Sequence, residues 1–491
     1  MENGIFLSDI SQTPTLPLVV DLDGTLTPTD TLHESLIQMA KQSPLSLVRL
    51  PLALLNGIAD FKEEIAAQVD IDPAQLPYRQ NLLDYLRAEK ALGRPIILAT
   101  AAHASIAREV AEHLDLFDQV LATGAGKNLK GMAKLQSIRA EVGEKFAYAG
   151  DSTADLPIWK AASSAILVAV DASTAAAVKR GTPVEQEFPK ERASLKVWLR
   201  ALRVHQWLKN LLLFVPLMTA FSFQDAGKFT TMCIAFLAFS FAASGTYILN
   251  DLWDLDNDRQ HPRKRNRPFA SALLPIHHGL AMSASALGLA FILSAFVSPA
   301  FVLMLLLYVV LTTAYSWVLK THMLIDVLML SLLYTLRILA GAVAVAIPAS
   351  SWLLAFSVFI FLSLALVKRC AEMVSLKEAG KAVAQGRDYR VSDLVVLWPM
   401  GVGAALSAVV VFGLFISAPE TQARYASPQL LWLVAVGLIY WLGRLWVKTS
   451  RGEMDDDPVV YAIKDRGSRV TVIFMFAVMM IAHAVNWGSP T

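Results

Sequence analysis

The feature that most constrains this chain is a series of long apolar stretches confined to its second part, between residues 207 and 491. A helix rises about 1.5 Å per residue, so crossing a hydrocarbon layer of about 30 Å takes about 20 mostly apolar residues. Nine segments meet that length, near 208–224, 230–252, 278–297, 300–318, 324–346, 352–370, 392–416, 428–447 and 469–487. They predict an all-α bundle of nine transmembrane helices. Residues 1 to 200 instead mix charge with short apolar runs, so the 55% apolar content is an average over two unlike parts. The change falls near residue 190, with Asp171 to Ser194 read as a linker, and the expected domains are 1–190 and 191–491. Met1 to Thr15 has no basic start followed by an apolar core, so no signal peptide is expected there. Cys233 and Cys370 both belong to apolar stretches and support neither a disulfide framework nor a cysteine metal site.

The net charge is only +2, and no nucleic-acid partner is expected. What matters is where the cations fall. The segments on one side of the nine crossings, 195–209, 253–277, 319–323, 368–391 and 447–469, together hold 21 Lys or Arg, while the other side has Lys228 and Arg424. The positive-inside rule then puts the N-terminal domain and the basic loops in the cytoplasm and the C-terminus across the membrane.

The densest chemistry lies where the second crossing meets the cytoplasm, in Asn250-Asp251-Leu252-Trp253-Asp254-Leu255-Asp256-Asn257-Asp258. On one continuous helix Asp251, Asp254 and Asp258 share a face, and like charges that close call for a cation among them. Hard oxygen ligands suit magnesium with a polyphosphate; the bland alternative is a solvated helix end. The basic run His261 to Pro268 follows directly, and Arg263, Lys264 and Arg267 within it could clamp phosphate oxygens or simply anchor the loop at the lipid surface. Later crossings carry Lys320, Asp326, Arg337, Lys368, Arg369 and Glu372. Arg337 lies about three turns into its helix, too deep to reach the interface easily, and its structural alternative is a pair with Asp326.

In these residues the chain resembles the UbiA-type prenyltransferase superfamily, whose first acidic motif reads Asn-Asp-x-x-Asp-x-x-x-Asp; Asn250, Asp251, Asp254 and Asp258 match it. Finer features are similar to the polyprenyl-phosphate phosphoribosyltransferase branch: Gln206-Trp207-Leu208-Lys209-Asn210, the run His261 to Pro268, Tyr315-Ser316-Trp317-Val318-Leu319-Lys320, Arg337 with Gly341, and Lys368-Arg369-Cys370-Ala371-Glu372. The resemblance covers residues 198 to 470. It implies substrate contacts for Lys209, Asn250 and Tyr315 as well as for the charged groups above, with magnesium at Asp251, Asp254 and Asp258. Aromatic prenyltransferases of the superfamily carry a second Asp-x-x-x-Asp motif, whereas here Asp326 is followed four residues later by Leu330.

The soluble part opens on an apolar strand, Leu16 to Val20, running into Asp21-Leu22-Asp23-Gly24-Thr25. Two carboxylates one residue apart at a strand end project into one loop, where Asp21 can attack phosphorus and Asp23 can shuttle a proton. A strand ending at Thr100, the pair Lys130-Gly131, and a strand ending at Gly150-Asp151, with Asp155 four residues on, follow in order. Strands alternating with helices predict a doubly wound parallel sheet with these groups at its carboxyl edge. The pattern resembles the haloacid dehalogenase (HAD) superfamily over residues 14 to 175. That implies a nucleophile at Asp21, an acid and base at Asp23, a phosphate donor at Thr100, a cation at Lys130 (with Lys134 the alternative), and magnesium at Asp151 and Asp155 beside Asp21 and Asp23. Residues 31–94 would be a helical cap.

Together the resemblances imply an integral membrane enzyme that joins phosphoribose from phosphoribosyl pyrophosphate to polyprenyl phosphate, then removes the 5-phosphate. The alternative is a prenyl transfer to an aromatic ring, with the phosphatase in a separate role.

Overall fold

The structure is a computed structural model that describes residues 16–486 apart from 49, 52–54, 56, 125–127, 191–192, 381, 384–386 and 455–457. The chain separates into two compact units. One comprises Met1–Leu202 with Asp251–Met282, the other Arg203–Asn250 with Ser283–Thr491. The acidic motif and the basic run therefore pack with the soluble part, which a single cut near residue 190 does not convey.

The first unit holds β1 (Leu18–Val20), α1 (Thr31–Gln42), α2 (Ile58–Ala66), α3 (Gln80–Ala91), β2 (Ile96–His103), α4 (Ala104–Leu114), β3 (Gln119–Thr123), α5 (Met132–Glu141), β4 (Ala147–Gly150), α6 (Leu156–Ala161), β5 (Ser164–Val168), α7 (Ala172–Lys179), β6 (Val184–Phe188) and α8 (Leu195–Ala201). All six strands are parallel, in the order β3-β2-β1-β4-β5-β6. Parallel strands linked by crossovers must be covered on both faces, and the alternation of side chains along β1 shows how this is met. Leu18 and Val20 join Leu82, Leu86, Leu98 and Val110 in one layer, while Val19 joins Ile97, Ile138, Tyr148 and Trp159 in the other. Because Val20 pairs with both Leu98 and Ala149, the residues just beyond these three strands meet at one edge.

Two sequence expectations change here. The stretch read as a linker contains α7 and β6, the latter paired with β5. Its signal is weak because β6 is an edge strand with exposed Glu185 and Glu187, the first of them ion-paired to Arg94 at 3.0 Å. Of the stretch 31–94 expected to form a cap, α3 instead buries Leu82, Leu83 and Leu86 in the sheet core as the crossover from β1 to β2.

The helices continue as α9 (Val215–Thr219), α10 (Ala226–Trp253), α11 (Leu255–Gln260), α12 (Ile276–Ala295), α13 (Pro299–Trp317), α14 (Ile325–Ala344), α15 (Ser351–Glu378), α16 (Leu394–Ser417), α17 (Pro419–Arg424), α18 (Leu431–Ser450), α19 (Pro458–Lys464) and α20 (Arg466–Ala484). Among the described residues eight helices are long and apolar enough to cross a membrane, one fewer than the nine expected. The missing one is the first, 208–224. It forms a 3₁₀ stretch, Val204–Phe214, followed by the short α9, which has Pro216 in its first turn. A 3₁₀ helix rises about 2.0 Å per residue, so laid end to end the two pieces would still reach about 30 Å. Gly341 of α14 packs on this stretch, where a Cβ would strike the carbonyl oxygen of Leu213.

Candidate functional site

Four carboxylates, from the loop after β1 and from the turn after β4, gather at the carboxyl edge of the sheet. Asp21 accepts from its neighbour's amide, Leu22 N, at 2.8 Å, and Asp23 accepts from Thr31 N at 2.8 Å. Gly24 lies at φ +79°, and a Cβ there would run into the Asp151 carboxylate, so the turn needs glycine both for its conformation and for the space it leaves. Gly150 leaves room in the same way for Asp155. One oxygen each of Asp21, Asp151 and Asp155 lies within 4.8 Å of the others. Three hard donors that close fit a divalent cation such as magnesium.

The cation paired with the cluster is Lys134, not Lys130. Lys134 Nζ is 2.9 Å from Asp21 Oδ1 and 3.9 Å from Asp155 Oδ1, fully enclosed, with Tyr148 Oη bridging to Asp155 at 2.9 Å. Lys130 is exposed at the rim of the same cavity. The helical phase of α5, entered through Gly131 at φ +56°, turns Lys134 inward. Burial would lower the Lys134 ammonium, but Asp21 and Asp155 hold it above the usual lysine range. Burial pushes Asp21 up to about 6, against Lys134, which lowers it. Burial and then Asp30 push Asp23 up to about 7, and burial followed by Asp21 pushes Asp151 to about 7. Thr100 is fully buried; its hydroxyl accepts from Ala102 N at 3.0 Å, and it does not line the cavity.

That cavity, about 330 Å³, is roofed by α1 and α2. Lys62 of α2, which the sequence reading missed, reaches into it and donates to Ala101 O at 2.6 Å. Its ammonium is lowered by burial, and further by Lys130 and Lys134. No motif marks a cap lysine; only the fold brings it here.

The acidic turn, in the same unit, departs from the single helical face expected. Asp254 interrupts the helix between α10 and α11, with φ −92° and ψ 14°. Asp251 and Asp258 are nevertheless buried and face one cation: Arg267 Nη1 donates to Asp251 Oδ1 at 3.1 Å and to Asp258 Oδ2 at 2.6 Å. Asp254 is half-buried. Burial raises Asp258, with Arg267 opposing. Of the basic run, Arg267 serves the carboxylates, whereas Arg263 and Lys264 are exposed.

In the second unit, Arg337 is buried and does not pair with Asp326. Its Nε donates to Asn210 Oδ1 at 3.0 Å, Nη1 to Leu333 O at 2.6 Å and Nη2 to Tyr308 Oη at 3.0 Å. Its guanidinium also lies over the Tyr308 and Tyr334 rings, and Lys209 Nζ is 5.9 Å from the Tyr334 ring. Asp326 is taken by others: Arg369 Nε donates to Oδ2 at 2.6 Å and Tyr389 Oη to Oδ1. Arg369 and Arg387 both hold Glu372, and Tyr315 lies against Arg369. Lys320 and Lys368 are half-buried. Asn250 Oδ1 is buried without a hydrogen-bond partner among the described residues. Asn210 stood in a quoted motif, but Tyr308, Tyr334, Tyr389 and Arg387 gave no signal.

Comparison with known proteins finds two families along the chain, and the acidic turn and the basic run fall within the match of the membrane family. Residues 212–464 match the model of the UbiA prenyltransferase family, and residues 18–160 that of the haloacid dehalogenase-like hydrolases. A Sinorhizobium fredii protein, uncharacterized protein y4nM, is 38% identical over 92% of this chain and 88% of its own length. Nodulation protein NoeC of Azorhizobium caulinodans is 36% identical over 56% of this chain and 90% of itself. The decaprenyl-phosphate phosphoribosyltransferase of Corynebacterium glutamicum is 31% identical over 58% of this chain and 86% of itself.

Proposed function

This chain belongs to the UbiA prenyltransferase family, and from that premise we propose that it is a two-step membrane enzyme making polyprenyl-phosphate ribose. In the first step an oxygen of polyprenyl phosphate attacks the anomeric carbon of phosphoribosyl pyrophosphate, and pyrophosphate leaves with the bonding electrons. In the second, the sugar 5-phosphate is hydrolysed by the N-terminal unit.

The observation that carries this reading is the state of Asp326. It is the one carboxylate in α14, and both its oxygens are bonded within the protein, to Arg369 and Tyr389. A second acidic clamp for a prenyl diphosphate is therefore wanting in that helix, which favours the phosphoribosyl reading over prenyl transfer. The decaprenyl-phosphate phosphoribosyltransferase relative supports the same choice.

Asp251, Asp254 and Asp258 would hold magnesium for the transfer, and Asp21, Asp151 and Asp155 would hold it for the hydrolysis; when bound, it neutralises phosphoryl oxygens as charge develops on them. The lipid phosphate is already an anion and needs no strong base. Arg263, Lys264, Lys320, Arg337, Lys368 and Arg369, with Lys209, Asn250, Tyr315 and Glu372, are assigned to binding and orienting the two phosphorylated substrates. In the second step Asp21 attacks the 5-phosphorus and Asp23, protonated near neutrality, gives its proton to the departing sugar oxygen. Asp23 then takes a proton from the water that opens the aspartyl phosphate. Lys134 holds the anionic Asp21 in place. Among the described residues no carboxylate lies within ion-pair distance of Lys62 or Lys130 at the cavity, which suits a substrate carrying a second anionic group, as the phosphodiester of the lipid-linked sugar does.

The chain is an integral membrane protein. The distribution of loop cations supports a cytoplasmic side for the N-terminal unit and both acidic centres, with the C-terminus opposite when the first segment is counted as a crossing. Purified protein given magnesium and polyprenyl phosphate should incorporate label from phosphoribosyl pyrophosphate into lipid. Label transferred instead from a prenyl diphosphate to an aromatic acceptor would replace this reading with the other.

A further inference from the structure

The short helix α11 carries the acidic motif on one side and a second set of charges on another. Asp254 precedes it and Asp258 lies within it, while Asp256 and Arg259 point toward α1 of the cap. Glu34 of α1 takes Arg259 in a forked pair, Nη2 to Oε1 at 2.6 Å and Nη1 to Oε2 at 3.2 Å. Only 4% of the Glu34 side chain and 9% of the Arg259 side chain are exposed. One turn and two turns along α1, Gln38 and Lys41 both donate to Asp256 Oδ2, at 2.6 and 2.7 Å. Arg259 is further tied to Gln75 O and Ala270 O.

The other end of α1 belongs to the hydrolytic centre. Asp30 caps the helix, and Thr31 N, in its first turn, donates to the Asp23 carboxylate. Thr29 Oγ1, two residues before the helix, donates to the same Glu34 oxygen that holds Arg259. A single twelve-residue helix thus touches the acid and base of one centre and the carboxylate turn of the other.

The geometry points to α1 as a positioning element for the transfer reaction: Glu34, through Arg259, and Lys41 with Gln38, through Asp256, set the orientation in which α11 presents Asp258. These five are positioning residues, since none is assigned to substrate. A buried forked ion pair is a poor way to add stability but a good way to fix one register, because a shifted helix would leave both charges unpaired. Whatever moves α1 at the hydrolytic cavity then moves α11, and by linkage the effect runs both ways. The assignment of transfer to Asp258 rests on the function proposed above; the mechanical link between α1 and α11 does not.

The test uses the full-length protein in lipid nanodiscs, as wild type, Glu34→Gln, Arg259→Gln, Arg259→Lys and the swap Glu34→Arg with Arg259→Glu. Hydrogen exchange over residues 255–260 should speed up by about tenfold or more in the two Gln variants while β1 and β4 stay protected. The magnesium concentration for half-maximal transfer should rise by about tenfold, with a smaller fall in turnover, and the swap should recover most of both. Arg259→Lys, which keeps the charge but not the fork, should fall between. Unchanged exchange over 255–260 in both Gln variants overturns the link, as does faster exchange with an unaltered magnesium requirement in an active transferase. If the wild type transfers no phosphoribose, the proposed function fails, and the exchange measurement alone still decides whether α1 holds α11.

Discussion

The two acidic centres of this protein solve the same electrostatic problem differently. At the sheet edge, Asp21, Asp151 and Asp155 converge on one point beside a cavity, and among the described residues one lysine, Lys134, lies within ion-pair distance of them. At the α10–α11 turn, Asp251 and Asp258 are buried, yet Arg267 already bonds to both. On the proposed function, the first centre would take a cation by itself, and the second would stay neutralised until a phosphorylated substrate competed for the guanidinium. Metal binding should accordingly be independent of substrate in one centre and dependent on it in the other.

The largest effects expected break the comparison outright. Asp21→Asn should lower hydrolysis of a small phosphate monoester by about a thousandfold and leave phosphoribosyl transfer nearly intact, while Asp258→Asn should do the reverse. Assaying both activities on both variants checks this, and equal loss of both in either one would merge the centres. A smaller effect sharpens the hydrolytic side. Lys134→Ala should cost about a hundredfold in kcat, since it leaves Asp21 and Asp155 without their buried partner, whereas Lys130→Ala should raise KM several-fold at most. Equal kcat losses would return Lys130 to the role first expected of it.

That reversal shows what the sequence could and could not reveal. The carboxylates at 21, 23, 151 and 155 were legible because strand ends fix where such side chains go. Which lysine meets them depends on the turn at Gly131 and the phase of α5, whereas the sequence pattern alone favours Lys130, beside its glycine, over Lys134. The eight long spans were legible from hydropathy, but the 3₁₀ stretch at Val204–Phe214 was not, because apolar content is the same in either helix type. Arg337 stood out as a charge deep in a span, yet its partner Asn210 comes from 127 residues earlier, beyond any local pattern. The break at Asp254 escaped notice because nothing in Leu252 to Asp256 forbids a helix.

The smallest expected effect concerns proton linkage. The buried Asp21, Asp23 and Asp151 hold their protons up to about 6, 7 and 7, against 3.8 for an ordinary aspartate. Between those values the metal-free folded state keeps protons that the unfolded chain has released, so stability falls as pH rises from 5 to 7.5. Magnesium alone should reverse this, raising the melting temperature of the N-terminal unit by a few degrees at pH 7.5 and by less at pH 5. Melting curves with and without the ion check it; greater magnesium stabilisation at pH 5 would contradict the cation-taking role given to this centre.

The most direct measurement is the mass of the lipid product formed from labelled phosphoribosyl pyrophosphate and polyprenyl phosphate by wild type and by Asp21→Asn. A sequential enzyme gives lipid-linked ribose from the wild type and, from the variant, the same lipid one phosphate heavier. Identical products from the two proteins would show that hydrolysis at Asp21 does not act on what the membrane bundle makes.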